Sequence, residues 1–397
     1  MPERKAPQTL RNLSISKVTA MVRGVVPGWS RRLFLSASRG LQYYQQQAQK
    51  VTKESNTVTE FLRSLPTHIF DDVTPRLIRK FVDDTAGRYE SYRASVRNSW
   101  NAEDMYDDAC IKMFRGVLVP PTKMYDTRDE SSGFAQKLII QTLNATRNLT
   151  HLAFDTAHSA PLASNIHHLQ QLLCFQYKHH CADKVVRQLA LHCSKLIKID
   201  VSESPAVTDD SVDHLLKLKN LTDVDVTLTS ISPEIYALFI SELPHIWNIS
   251  WIVQSSYILD YIHKENLPTV ADFCGTMQGG NALAHKCPNI KFLEPHSASE
   301  DLSSLATLNN LVELTVRKGD YGPSRMGTEL EGVGHRLKVL ALNDVENVNM
   351  GAIITLHSSL ESLQLARCTF LRTARPAVLS PDLPQVKSLI KSAICHT

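Results

Sequence analysis

Leu189-Ala190-Leu191-His192-Cys193-Ser194-Lys195-Leu196-Ile197-Lys198-Ile199-Asp200-Val201 returns in outline as Leu283-Ala284-His285-Lys286-Cys287-Pro288-Asn289-Ile290-Lys291-Phe292-Leu293. In both stretches a cysteine stands three positions ahead of the first residue of an apolar core. A core of the form L-x-x-L-x-L that recurs every ~20 to 30 residues marks a stack of like units, each burying its apolar face on its neighbours. One unit alone buries too little apolar surface to offset the ordering of its own backbone.

The same phase gives Leu149/Leu152/Phe154, Leu169/Leu172/Cys174, Leu196/Ile199/Val201, Leu221/Val224/Val226 and Ile246/Ile249/Trp251. It resumes with Ile290/Leu293, Leu311/Leu314/Val316, Leu337/Leu340/Leu342 and Leu360/Leu363/Leu365. Between Trp251 and Ile290 the template fits loosely, through Leu267 and Val270 with Asp272 where an apolar residue belongs, so one irregular unit is expected there. The period is that of leucine-rich repeats and too short for paired-helix repeats. The expected fold is α/β: a leucine-rich repeat solenoid, a curved parallel sheet with outer helices, preceded by a small helical N-terminal domain. Ile199, Val224, Leu314, Leu340 and Leu363 should then form one continuous ladder.

The return segments carry helix-start signals. Val207-Thr208-Asp209-Asp210 offers a capping hydroxyl and first-turn acids, and Ser232-Pro233-Glu234 sets proline at the first helical position.

Charge divides the chain further. Residues 1–50 hold nine Lys/Arg against Glu3 alone, a +8 arm on a body of −5. Pro7, Gly24, Pro27 and Gly28 interrupt a long amphipathic helix, so a disordered arm is expected, with a mitochondrial presequence as the competing reading. Residues 51–135 read as a helical N-terminal region, residues 136–370 as the repeats, and residues 371–397 as a C-terminal tail or cap. No run approaches the length of a membrane span, and the basic arm lacks the aromatic interleaving of a nucleic-acid surface, so neither partner is expected. Eight thinly spread cysteines, two of them at equivalent repeat positions, suit reduced structural thiols in cytosol or nucleus.

Leu-Ala-x-x-Cys-(Pro)-x-Leu leading into a strand, followed by Val-Thr-Asp-Asp-x-Val-x-x-Leu, resembles the cysteine-containing repeats of F-box/LRR proteins, over residues 143 to 370 and most sharply at 189–216 and 283–293. Ser64-Leu65-Pro66-Thr67-His68-Ile69-Phe70 is similar to the opening of an F-box, and Val96-Arg97-Asn98-Ser99-Trp100 to its close, which makes 64–100 an F-box-like segment. The middle, Asp83 to Tyr89, departs from the pattern by lacking an aliphatic helix. The resemblance implies a substrate-recognition adaptor of a cullin-RING (SCF-type) ubiquitin ligase. Leu65, Pro66, Ile69 and Phe70 would hold a Skp-type linker, and through it a cullin. An elongin-binding box is a related reading, although the cysteine expected after its start is absent. Two other readings stay open: a helical cap on a leucine-rich repeat scaffold with no ligase link, and an organelle-targeted repeat protein.

No catalytic constellation stands out. The chain has no Gly-x-Ser-x-Gly elbow and no phosphate-cradling glycine loop, and its paired carboxylates fit helix starts. His179-His180-Cys181 and His192-Cys193 flank a segment that reads as a repeat's own helix, so no metal and no cofactor are expected. A protein partner is expected on the concave face, where alternate strand residues point outward. That register selects Lys198, Asp200, Asp223, Asp225, Ile252, Phe292, Glu294, Glu313 and Arg317. Asp200, Asp223 and Asp225 make an acidic strip suited to a basic segment, with Phe292 and Ile252 as anchors. In the second repeat the phase sends Leu173, Phe175 and Tyr177 outward together, which means either a patch or a slipped register.

Overall fold

The computed structural model describes residues 10–37, 39–65, 108, 110–111, 114–115, 123–126, 133–155, 159–252, 258–276, 280–295, 302–322, 330–356, 358–371 and 388–392. The chain divides into two compact units, residues 1–196 and 197–397.

The first unit opens with two helices, α1 (Leu10–Ala37) and α2 (Leu41–Arg63), joined through Gly40 at φ 101°. The described part of the arm expected to be disordered is therefore helical over residues 10–37 and 41–50, and α1 runs through Gly24, Pro27 and Gly28. Tertiary anchoring overrides the helix-breaking cost of ~3 kcal/mol for proline. Trp29 and Leu33 are fully buried, as are Val51 and Leu62 of α2. The Trp29 indole Nε1 donates to Glu54 Oε2 at 2.7 Å, and the Arg32 guanidinium holds the same carboxylate through both oxygens. Of the F-box-like segment, Leu65 lies half-buried just past α2, while Pro66, Ile69 and Phe70 lie outside the described residues.

A short strand, β1 (Met124–Asp126), then pairs in parallel with β2 (His151–Phe154), so the stretch read as helical before residue 135 already contains a repeat strand. β2 pairs with β3 (Cys174–Tyr177) in the register Leu152↔Phe175 and Phe154↔Tyr177. Phe175 and Tyr177 are fully buried against Phe154, with ring centroids 6.1 and 4.6 Å away. This repeat thus runs Leu172/Phe175/Tyr177, three residues later than the sequence phase, and the outward aromatic patch does not exist. The slip has a simple cause. Leu169, three residues before the leading core residue, is itself buried, so L-x-x-L is satisfied in two phases. Cys193, Leu218, Cys287 and Leu308 hold that same position in other repeats, all buried, and the carbonyl there accepts from the leading core residue's N–H in a tight turn.

In the second unit β4 (Lys198–Asp200) pairs with β5 (Asp223–Asp225), Ile199 opposite Val224. A separate seven-stranded parallel sheet follows in the order β12-β11-β10-β9-β8-β7-β6. Its strands are β6 (Asn248–Trp251), β7 (Asp272–Gly275), β8 (Phe292–Pro295), β9 (Glu313–Asp320), β10 (Val339–Glu346), β11 (Ser362–Ala366) and β12 (Ser388–Ser392). Ile249, Phe273, Leu293, Leu314, Leu340 and Leu363 stand in one row of it. The expected continuous ladder is interrupted between Val224 and Ile249, where the side chain of Asn248 replaces the backbone pairing. Its Oδ1 accepts from Val224 N–H at 3.0 Å and its Nδ2 donates to Val224 C=O at 3.1 Å.

The irregular repeat is Val270/Phe273/Gly275, again three residues later than read. Gly275 sits opposite Trp251, and a β-carbon there would lie 2.1 Å from the Trp251 carbonyl oxygen. Trp251 fills the space and stacks on Tyr236 at 4.9 Å. β12 pairs with β11 from Ser362↔Ser388 to Ala366↔Ser392, so the segment after residue 371 supplies a further parallel strand.

Among the return helices, Asp183–His192 and Pro233–Glu242 follow the sequence reading, the second with proline in its first turn. The start at Thr208 gives only a short 3-10 turn and one helical turn, Val212–Leu215. A left-handed residue recurs late in the repeats, past the strand or, at Lys318 and Asp344, inside β9 and β10. His179, Glu203, Leu228, Lys318, Asp344 and Arg367 each stand seven residues after the leading core residue of their repeat, and all adopt left-handed φ between 51° and 65°. These parallel strands, buried cores and short returns define a leucine-rich repeat protein.

Candidate functional site: an acidic and aromatic strand face

Register places the outward residues of the second unit in two rows. Lys198 lies beside Asp223 on β4 and β5. Across the Asn248 bridge, Asn248, Asp272, Phe292, Glu313 and Val339 follow one another on adjacent strands. The second row brings Ser250, Cys274 and Glu294 side by side. Parallel strands ~4.8 Å apart put Asp272 and Glu313 on either side of Phe292.

Between these rows lies a cavity of about 260 Å³, lined by Trp247, Asp272, Cys274, Phe292, Glu294 and Glu313, with Leu293 and Thr315. The Trp247 and Phe292 rings meet edge to face, centroids 6.4 Å apart at 86°, a favoured arrangement of aromatic quadrupoles. Phe292 remains 37 % exposed. Trp247 is fixed through its carbonyl, which accepts from Ala271 N–H at 2.7 Å and Asp272 N–H at 3.0 Å.

The electrostatics are lopsided. Lys198 pairs with Asp223, and Arg317 pairs with Glu294. The carboxylates of Asp272 and Glu313 have neither an ion pair nor a hydrogen bond among the described residues. Burial, then repulsion from Asp223, Glu294 and Glu313, pushes Asp272 up to about 6, and Lys198 offsets only part of this. Burial likewise raises the Cys274 thiol to about 12, with Glu294 and Asp272 adding to it.

Of the residues chosen from sequence, Asp223, Phe292, Glu294 and Glu313 gather here, with Lys198 and Arg317 as the flanking cations. Asp200 and Asp225 do not belong to an exposed strip. Asp200 is only 5 % exposed, and its Oδ1 accepts from Ser202 N–H at 3.2 Å and Ser202 Oγ at 2.7 Å. Half-buried Asp225 does the same with Thr227 N–H at 3.0 Å. Both carboxylates close the chain turn that ends their strand, a role short polar side chains perform well. Ile252 is half-buried just past the end of β6 and is not in the cavity wall.

Sequence reasoning missed Trp247 and Asp272. The misplaced phase put Asp272 at an inward position, and Trp247 stands just ahead of its strand, outside the alternation. Asn248, part of an Asn-x-Ser glycosylation pattern, is instead buried in the sheet. No group of three or more His, Cys, Asp or Glu among the described residues is arranged to hold a metal. No described helix is long and apolar enough to cross a membrane.

No protein-family model matches the sequence, and no curated protein matches it significantly. Similarity is found among solved structures. The chain is similar to one in the yeast Rad7 and Elc1 complex at 13 % identity and TM-score 0.47, covering 97 % of this chain and 98 % of that one. An internalin from Listeria monocytogenes is similar at 13 % identity and TM-score 0.36, over 64 % of this chain and 83 % of the internalin. A leucine-rich repeat protein of Leptospira interrogans is similar at 14 % identity and TM-score 0.32, over 71 % and 74 %.

Proposed function

We propose that this leucine-rich repeat scaffold is the substrate-recognition adaptor of a cullin-RING ubiquitin ligase. Its outward strand residues hold a target protein, and residues 64–100 hold a Skp-type or elongin linker. The observation that carries target binding is the cavity where Trp247 and Phe292 stand among Asp272, Glu294 and Glu313, since aromatic residues in recessed sites dominate the energetics of protein interfaces. The ligase link rests on the resemblance of the repeats, and Cys193 and Cys287 support it by filling one buried position in two repeats. Cytosol or nucleus is the compartment that keeps such thiols reduced.

Affinity purification of the full chain tests this reading. A linker protein and a cullin should be recovered with the wild type and lost from a Leu65→Ala/Phe70→Ala variant. Recovery of target proteins without linker or cullin would reduce the function to that of an interaction scaffold.

A further inference from the structure

Fold and charge together narrow what the cavity on the strand face accepts. The register Asp272↔Phe292↔Glu313 sets one carboxylate on each side of an exposed aromatic ring, and Trp247 meets that ring edge-on. The carboxylates that bear on the site are Asp223, Asp272, Glu294 and Glu313, with Asp225 already bonded to Thr227, and the cations that bear on it are Lys198 and Arg317, each already paired. The carboxylates of Asp272 and Glu313, the first only partly offset by Lys198, are left without an ion-pair partner among the described residues, beside aromatic walls.

We propose that this cavity takes one lysine or arginine side chain from an extended basic segment of a partner protein, with the aliphatic stem against Phe292 and Trp247 and the cationic head between Asp272 and Glu313. The inference deepens the reading of the strand face as target-holding and rests on it. An aromatic face attracts an organic cation through its quadrupole, and long basic side chains bury their stems on apolar surface. A metal ion fits poorly, because the carboxylates are strung along the row and do not converge into a ligand set among the described residues.

Asp272 also makes occupancy pH-dependent. The charged groups that bear on it are Asp223 and Lys198 from one side, Glu294 and Glu313 from the other, with Cys274, Asp225 and Arg317 nearby. A bound cation favours the ionised carboxylate, so binding weakens as pH falls through about 6.

The test is a titration of the full chain, labelled with nitrogen-15, followed through the indole N–H signal of Trp247, which a Trp247→Phe variant identifies. Three blocked octapeptides serve as probes, alternating alanine with lysine, arginine or glutamine. The lysine and arginine peptides should move the signal and the glutamine peptide should not. Affinity should fall about tenfold in Asp272→Asn, and separately in Glu313→Gln, whose half-exposed site tolerates the change. It should fall similarly for wild type between about pH 7.5 and about pH 5. An equal response to the glutamine peptide, an unmoved indole signal, or undiminished affinity in both variants would overturn the proposal. Linker capture reports separately: if it persists while the indole stays silent, the cavity assignment fails and the adaptor reading stands.

Discussion

The side-chain amide of Asn248 forms both hydrogen bonds that a neighbouring strand would otherwise make with Val224: it accepts from the Val224 N–H at 3.0 Å and donates to the Val224 C=O at 3.1 Å. The repeat stack therefore changes sheets with the N–H and the C=O of Val224 both paired. The same residue heads the row that continues into Asp272 and Phe292, so the break lies at the edge of the binding face.

Asn248→Ala should cost about 2 to 4 kcal/mol, because it strands a buried donor and a buried acceptor together. Asn248→Asp keeps an acceptor for the N–H but loses the donor to the carbonyl at neutral pH. Denaturant unfolding should find Asn248→Asp destabilised at pH 7 and partly restored in acid, where its protonated carboxyl donates again.

Asp272 should make stability depend on pH in a direction opposite to that of a salt-bridged aspartate. Its folded-state pKa is raised from an ordinary 3.8 to about 6, first by burial. The folded protein therefore binds the proton more tightly than the unfolded chain, and the favourable contribution, full below 3.8, is lost as pH rises through about 6. Asp272→Asn should be more stable than wild type at pH 7 by about 1 kcal/mol, once solvent screening of a part-exposed group is allowed for. Parallel thermal melts should show that advantage shrinking as pH falls below 6.

Much of this architecture can be read from the residues, and the failures share one origin. The buried residue three places ahead of each repeat's leading core position is cysteine at 193 and 287, which marks the phase, but leucine at 169 and 267, which imitates the core. Leucine stands there at 218 and 308 too, but a phase begun on it would end on Asp223 or Glu313. Begun on Leu169 it ends acceptably on Cys174, and near 267 Gly275 weakens the true phase, so only these two repeats slip by three and Asp272 is lost from the outward set. The loose fit near residue 270 reflects Gly275 in place of a third apolar residue, a substitution explained only by Trp251 across the strand pair. The helical hairpin was hidden by Pro27, because the Trp29–Glu54–Arg32 arrangement that offsets it is tertiary.

The left-handed position seven residues after the leading core residue was likewise invisible, since none of its described occupants is glycine. Leu228 holds φ 56° there while 54 % exposed, so it gains little by burial. Leu228→Gly removes a conformational cost of ~1 kcal/mol and adds a smaller one in unfolded-chain entropy. A net gain of about 0.5 kcal/mol is expected in equilibrium unfolding.

Gly275→Ala should act in the opposite sense. Its β-carbon would meet the Trp251 carbonyl, a backbone atom that cannot swing aside. A loss of about 2 kcal/mol or more is expected, together with a changed near-ultraviolet signal from the Trp251–Tyr236 stack.

Cys193 and Cys287 are fully buried, and burial raises both thiols to about 12. Neither should react with a thiol-disulfide reagent at pH 8 in the native protein, and both should react on unfolding, as their thiolates become accessible.

The central claim is that a partner protein is held on the strand face around Phe292 and Asp272. Quantitative affinity purification of the full chain beside a Phe292→Ala/Asp272→Asn variant of matched stability tests it most directly. A set of target proteins should be depleted by the variant while the proteins that depend on Leu65 and Phe70 are recovered equally; equal recovery of every captured protein by both chains would contradict the account.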